Sequence, residues 1–295
     1  MRAVEDRITT SRQRPRHASA NIRTWIGFRQ FMSLVEEAVL CWFRESGYGP
    51  QELYHRYGLG LEIIDSSVLL PATLEIDDEV DAEVGWVAPG RFRVRLSVVR
   101  DGRPVTALRG RVSVALVVER DDAVPAALPP ALVSLIVPNV RAAADPVGPP
   151  RGEGPFNWFW RMRYFHCHYS DRVQHGTYVQ ALEEVVDRFL ASRGLAVPRL
   201  LDERGWIPVV SRARVRLLAD AHMGDHMRTT FVVGDIVGDR AFDGRMDCYT
   251  LGSGDQRHVA TATILHGYAI SGGVGAGTLA RLDPATIEAL TRGRQ

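Results

Sequence analysis

The sequence has no lysine: all 36 basic residues are arginine, and against 35 acidic residues they leave a net charge of +1. No basic run stands out beyond RQRPR at 12–16, so the concentrated basic face that holds nucleic acid is missing. Cysteine is scarce. Cys41, Cys167 and Cys248 are odd in number and lack a C-x-x-C spacing, which reads as buried thiols and argues against a disulfide framework or a cysteine zinc site. No apolar stretch approaches the ~18 residues of a membrane span, and the N-terminus has no apolar run of signal-peptide length. These absences predict a cytoplasmic protein with neither a nucleic-acid nor a membrane partner.

What the sequence does have is an internal copy. Sliding the chain by 147 residues superposes Phe31 on Tyr178, Val35 on Leu182, Glu36 on Glu183, Glu37 on Glu184, Trp42 on Phe189 and Gly47 on Gly194 without a gap. The same offset matches Gly58 with Gly205, Val68 with Val215, Leu70 with Leu217, Ala72 with Ala219 and Asp78 with Asp225. At 295 residues and 45% hydrophobic, the chain can bury one large core or two of about 130–150 residues, and the repeat favours two.

Each copy opens on a helix. In FRQFMSLVEEAVLCWFRESG (28–47) the apolar residues keep the 3,4 spacing of one buried stripe, and Gly47 with Gly49-Pro50 stops it. Segments 61–74, 79–87, 91–100 and 105–118 are rich in β-branched residues and separated by turn signals, so strands follow. A possible strand at 6–12 precedes the helix. Residues 121–155 shift to Pro, Ala and Gly, with a short helix at 128–136. The second pass predicts a strand at 156–170, a helix at 176–192, strands near 207–218, 227–237, 240–250 and 258–270, and a tail, 282–290, that mirrors 128–136. The pattern is α+β, with domains at 1–120 and 156–295 joined by a linker at 121–155.

The phrase F..F..LVEEA...WFRE.G followed by VLLPATLEIDDEV resembles the hotdog-fold acyl-thioester enzymes, nearly twice over the chain. The resemblance implies two hotdog domains in tandem, each a long central helix wrapped by an antiparallel sheet, forming an intramolecular pseudo-dimer, with further homo-oligomers open. It implies a thioesterase acting on an acyl-CoA or acyl-carrier-protein thioester in polyketide or fatty-acid-derived metabolism. A dehydratase, hydratase or isomerase of β-hydroxyacyl thioesters, or a non-catalytic acyl-binding protein, is the alternative on the same fold. No cofactor and no metal is expected.

The copies differ at the helix entrance, where Thr24 matches Asp171, Phe28 matches His175 and Arg29 matches Gly176. Free amides of a helix start, bared by Gly176, suit the charge that develops on a thioester oxygen. HGTYVQALEE resembles the H-G-G-x-x-x-x-L-x-D/E segment of hotdog acyl-CoA thioesterases. This places the base or nucleophile on Glu184, with Glu183 as its neighbour candidate, and the oxyanion role on Gly176 beside His175. Thr177 stands for the second glycine and, with Tyr178, is assigned to substrate binding. DRVQH at 171–175 resembles the D-x-N-x-H of plant-type acyl-carrier-protein thioesterases, adding Asp171, although Val173 replaces the asparagine. In the first copy, NIRTWIGFRQF faintly resembles the enediyne-polyketide thioesterases, which makes Asn21 and Arg23 substrate-binding candidates. His166 and His168 are expected on one face of a strand, without further ligands at metal spacing.

Overall fold

The computed structural model describes residues 7–120, 128–148, 154–252 and 255–292. The first half runs β1 (Ile8–Gln13), α1 (Phe28–Glu45), α2 (Pro50–Tyr57), β2 (Leu59–Leu69), β3 (Val80–Ala88), β4 (Arg91–Arg100) and β5 (Arg103–Val118). A connection bearing α3 (Pro130–Val133), β6 (Ile136–Val137) and α4 (Val140–Ala143) leads to the second half. There the same order returns as β7 (Phe156–Arg161), α5 (His175–Ser192), α6 (Val197–Arg204), β8 (Trp206–Leu217), β9 (His226–Val237), β10 (Ala241–Leu251) and β11 (Gln256–Ile270), closed by α7 (Pro284–Thr291).

The strands form one 11-stranded sheet in the order β1-β3-β4-β5-β2-β8-β11-β10-β9-β7, antiparallel except for β6, which lies parallel against β5. The fold is therefore α+β. At its centre β2 and β8, which correspond under the 147-residue offset, pair with each other, Ser67 opposite Arg214 and Leu69 opposite Arg212. Asp65 adds an ion pair across this seam, its Oδ2 2.5 Å from Arg214 Nη2.

The helices lie on the sheet because their apolar stripes have nowhere else to go. Phe31, Val35, Val39 and Trp42 of α1 are all buried. Trp42 has no exposed surface and packs against Phe92 and Trp86 at 4.9 and 5.6 Å between ring centroids. Truncating such an indole to alanine costs about 3–5 kcal/mol. Phe189 takes the matching place in α5, 5.3 Å from Phe231 and 6.2 Å from Phe156. The two helices also touch each other, so the halves share a core.

Several elements differ from the sequence reading. α2 and α6 occupy stretches to which the sequence assigns no element; each carries proline at its first or second position and ends on a left-handed glycine, Gly58 (φ +64°) and Gly205 (φ +65°), which explains that repeated identity. The strand expected over 156–170 stops at Arg161. A 3-10 turn at Tyr164–His166 follows, where the Arg163 amide donates to His166 Nδ1 at 3.0 Å, a local bond that competes with strand pairing. The 61–74 strand ends at Leu69, before Pro71. The helix expected at 128–136 contracts to Pro130–Val133, because Ile136 and Val137 instead pair with β5. Asp6 of the first expected strand and linker residues 121–127 and 149–153 lie outside the described residues. Among the described residues no helix is long and apolar enough to cross a membrane.

Candidate active site

α1 and α5 meet so that the first turn of each faces a glutamate of the other. The Arg29 amide, second in α1, donates to Glu183 Oε1 at 2.8 Å. At the other end, Glu36 Oε2 lies 3.9 Å from where a Cβ on Gly176 would stand. These junctions correspond under the repeat, Arg29 with Gly176 and Glu36 with Glu183. First-turn amides have no helical acceptor, so each junction is a natural place for a carboxylate or a developing oxyanion.

The α5 junction is filled with charge. Glu62, on the buried face of β2, accepts from the His175 amide at 3.0 Å, from Arg172 Nη1 at 2.5 Å, and pairs with His168 Nε2 at 3.1 Å. Burial alone would push this carboxyl up, but the His168 hydrogen bond and charge, Arg172 and the His175 amide outweigh it and hold it at about 2. Arg172 also binds Glu119, so one second-half side chain ties down two first-half carboxylates. His175 Nε2 lies 3.0 Å from Ser66 Oγ, and burial lowers this imidazole to about 4, so it is neutral near pH 7. Glu36 is raised, first by burial and then by the charge of Glu62. The space left is about 40 Å³.

The α1 junction is the same place with different contents. Glu62, His168, Arg172 and His175 are matched there by Val209, Asn21, Trp25 and Phe28, all lining a cavity of about 770 Å³. That volume is in the range of ligand sites. Glu183 lines it too, its carboxyl raised by burial against the opposing pull of the Arg29 amide and guanidinium. Asn21 sits at the helix entrance: a Cβ on Gly27 would stand 2.3 Å from Asn21 Nδ2, so glycine at the N-cap is what admits the carboxamide.

The predicted residues are therefore dispersed. Glu184 is exposed and its Oε1 accepts from Arg188 Nε at 2.5 Å; its counterpart Glu37 likewise pairs with Arg44, at 2.6 Å. A step of one residue turns a helix by about 100°, which is why Glu183 faces α1 and Glu184 faces solvent. Asp171 and His175 also part company: Asp171 Oδ1 lies 3.1 Å from His222 Nδ1 on the surface, while the His175 ring turns inward. Gly176 does lie at a helix start, but against Glu36. Thr177 donates to the His166 carbonyl at 3.0 Å, Tyr178 is buried in the core, and neither lines these two cavities. Arg23 adopts φ +68° and reaches toward Gly272, whereas Asn21 does line the large cavity. His166 and His168 share no strand face; one closes the 3-10 turn and the other pairs with Glu62. Among the described residues no three His, Cys, Asp or Glu side chains form a cluster able to hold a metal ion.

Sequence reasoning missed Glu62, Ser66, Arg172 and the pairing of Glu36 with Gly176. The visible signal was Glu62 itself, a charge inside the apolar run LGLEII.

Two long helices packed on one antiparallel sheet, each starting against a glutamate of the other, make an α+β arrangement similar to the hotdog fold. Residues 164–290 match the family model of the thioesterase-like superfamily. Among solved structures, the fold is similar to the 12:0-ACP thioesterase from Umbellularia californica, at TM-score 0.61 and 13% identity over 88% of this chain and 94% of that one. It is similar also to an acyl-ACP thioesterase from Bacteroides thetaiotaomicron, at TM-score 0.56 and 12% identity over 88% and 97%. No curated protein matches the chain.

Proposed function

We propose that the chain is a thioester hydrolase of two tandem hotdog domains, 1–120 and 156–295, joined by the 121–155 linker into an internal pseudo-dimer, and that it works at the α1 junction. The observation that carries this reading is the cavity of about 770 Å³ that meets both the Glu183 carboxylate and the first turn of α1. The acyl group fills the cavity, and the thioester carbonyl sits at the helix entrance, where the Asn21 carboxamide stabilises the oxyanion while the Arg29 amide holds the Glu183 carboxylate. Glu183 takes a proton from water as its oxygen bonds the carbonyl carbon; the C–S bond then breaks and the proton passes to the leaving thiolate, giving acid and thiol. A carboxyl raised by burial is the more effective base.

The acyl donor is a carrier protein or CoA, and the fold's similarity to acyl-ACP thioesterases favours the carrier protein. Free-thiol release from dodecanoyl-CoA and dodecanoyl-carrier protein by wild type, Glu183→Gln and Glu36→Gln tests the site. We expect about a 10²-fold loss in kcat/KM for Glu183→Gln. Full turnover in that variant would remove Glu183 from the mechanism.

A second reading has one observation in its favour: Glu36, also raised, stands against Gly176 in the half that matches the superfamily. Loss of turnover in Glu36→Gln with Glu183→Gln unaffected would move the chemistry to the α5 junction, with the large cavity serving only to hold the acyl group.

A further inference from the structure

β11 feeds an apolar series into the large cavity, and His266 interrupts it. Ile264, on the same strand face, and Ala269 both line the wall, but between them stands an imidazole that is 97% buried by its 3% relative exposure. Its neighbours are rings, Phe242 at 4.9 Å and Tyr268 at 5.5 Å between centroids. His266 makes no side-chain hydrogen bond among the described residues, and its Nδ1 is sealed from solvent without a partner. Burial lowers this ring to about 4, so it is neutral near pH 7 and offers one N–H donor and one lone pair. A buried polar group left unmatched costs stability, so its place beside a cavity calls for a reason.

The fold does not supply one. His266 lies opposite Val210 in the β8–β11 pair, next to a register shift; in the first half the corresponding Ile63, also next to a register shift, lies opposite Val114. Val114 is buried and apolar, so this position in a hotdog sheet closes well with valine. The imidazole stands on the strand that lines the large cavity, and valine holds the matching place in the other half.

We propose that His266 is a specificity-determining residue that selects an acyl group bearing a hydroxyl or carbonyl oxygen along its chain over a saturated hydrocarbon. A hydroxyl on the acyl chain can donate to or accept from a nitrogen of the neutral ring and a carbonyl can accept from its N–H, whereas an alkyl chain can do neither. Sites built to hydrogen-bond a substrate oxygen discriminate strongly against the analogue that lacks it. The inference rests on the reading of this cavity as the acyl chamber.

The test has a binding arm and a turnover arm. Dodecanoic acid and a positional series of hydroxy- and oxo-dodecanoic acids are titrated by calorimetry into wild type, His266→Val, which installs the residue of the other half, and His266→Gln, which keeps a donor and an acceptor. The same acyl groups as CoA thioesters are then assayed for thiol release, and circular dichroism verifies that each variant is folded. Wild type is expected to prefer at least one oxygenated acid by about 10-fold or more. His266→Val should erase that ratio and His266→Gln should restore part of it. Equal affinity of wild type for oxygenated and saturated acids overturns the inference, as does a preference that survives His266→Val. Preferential, His266-dependent binding without thiol release from any thioester upholds it and instead overturns hydrolysis.

Discussion

The two helix entrances are one design filled in two ways. At α5, Glu62, His168, Arg172 and His175 knit a charged plug that leaves about 40 Å³; at α1, Val209, Asn21, Trp25 and Phe28 leave about 770 Å³. The backbone and the facing glutamate are common to both. The difference lies in where each half spends its polar side chains: the plug holds the halves together through Arg172, whereas the open entrance can admit a guest. One entrance is thus a fastening between the halves, and the other borders a cavity that both halves line.

Arg172 offers the severest test of the fastening. Arg172→Met leaves Glu62 and Glu119 partly uncompensated in a buried setting, and breaking such a pair costs about 3–5 kcal/mol. Adding Glu62→Val, which imports the residue of the α1 junction, should recover part of that loss, since an apolar replacement for the whole pair is often neutral. Urea unfolding of the single and double variants measures both. A single variant as stable as wild type would show that the plug is ornamental.

Acid should dissolve the same plug. Glu62 is held at about 2 against an ordinary 4.5, so its contribution is complete above 4.5 and disappears as pH falls toward 2; the shift corresponds to about 3 kcal/mol. His175 is depressed to about 4 from 6.5, so its stabilising neutrality is likewise lost on the acid side, between 6.5 and 4. His168, raised by its hydrogen bond and charge contact with Glu62 against the opposing effect of burial, has the opposite sign: it stabilises below 6.5 and fades as pH rises through its raised value. Unfolding free energy followed from pH 7 to pH 3 should therefore fall less steeply in the Arg172→Met, Glu62→Val double variant than in wild type. Parallel profiles would break the assignment.

At the open entrance the expected effect is smaller in energy but visible in rate. Glu183→Gln should lower kcat/KM by about 10²-fold, about 2.7 kcal/mol. The same substitution at Glu36 should leave turnover within about 2-fold, because Glu36 faces the plug.

Much of this architecture was legible in the sequence. The helices 28–47 and 176–192, the strands and the α+β pattern all emerged from periodicity, since burial on a sheet imposes a 3,4 spacing on helices and alternation on strands. The repeat was legible because its spacing is gapless through helix and first strand. The site was less so. His175, Gly176, Glu183 and Asn21 were singled out, yet the sequence cannot say that α1 and α5 run so that Glu36 faces Gly176 and Glu183 faces Arg29, because that follows from how two distant helices cross. Nor does a motif reveal volume: DRVQHG looks chemically richer than NIRTWIG, and it is the poorer loop that borders the large cavity. Short helices α2 and α6 escaped because eight residues give too few turns for a period to show.

The smallest effect separates two adjacent glutamates. Resemblance by spacing pointed to Glu184, but its carboxylate lies on the solvent face with Arg188, an i,i+4 pair of the kind that contributes about 0.3–0.5 kcal/mol. Its counterpart Glu37 does the same with Arg44, so both copies use this position for surface charge. Glu184→Gln should change thioester turnover by less than about 2-fold and stability by about 0.5 kcal/mol or less. A loss comparable to that of Glu183→Gln would mean that α5 rotates on binding substrate to bring its outer face to the cavity. The helix stripe of Leu182, Val185 and Phe189 resists such a turn, since rotating it would carry fully buried side chains into water.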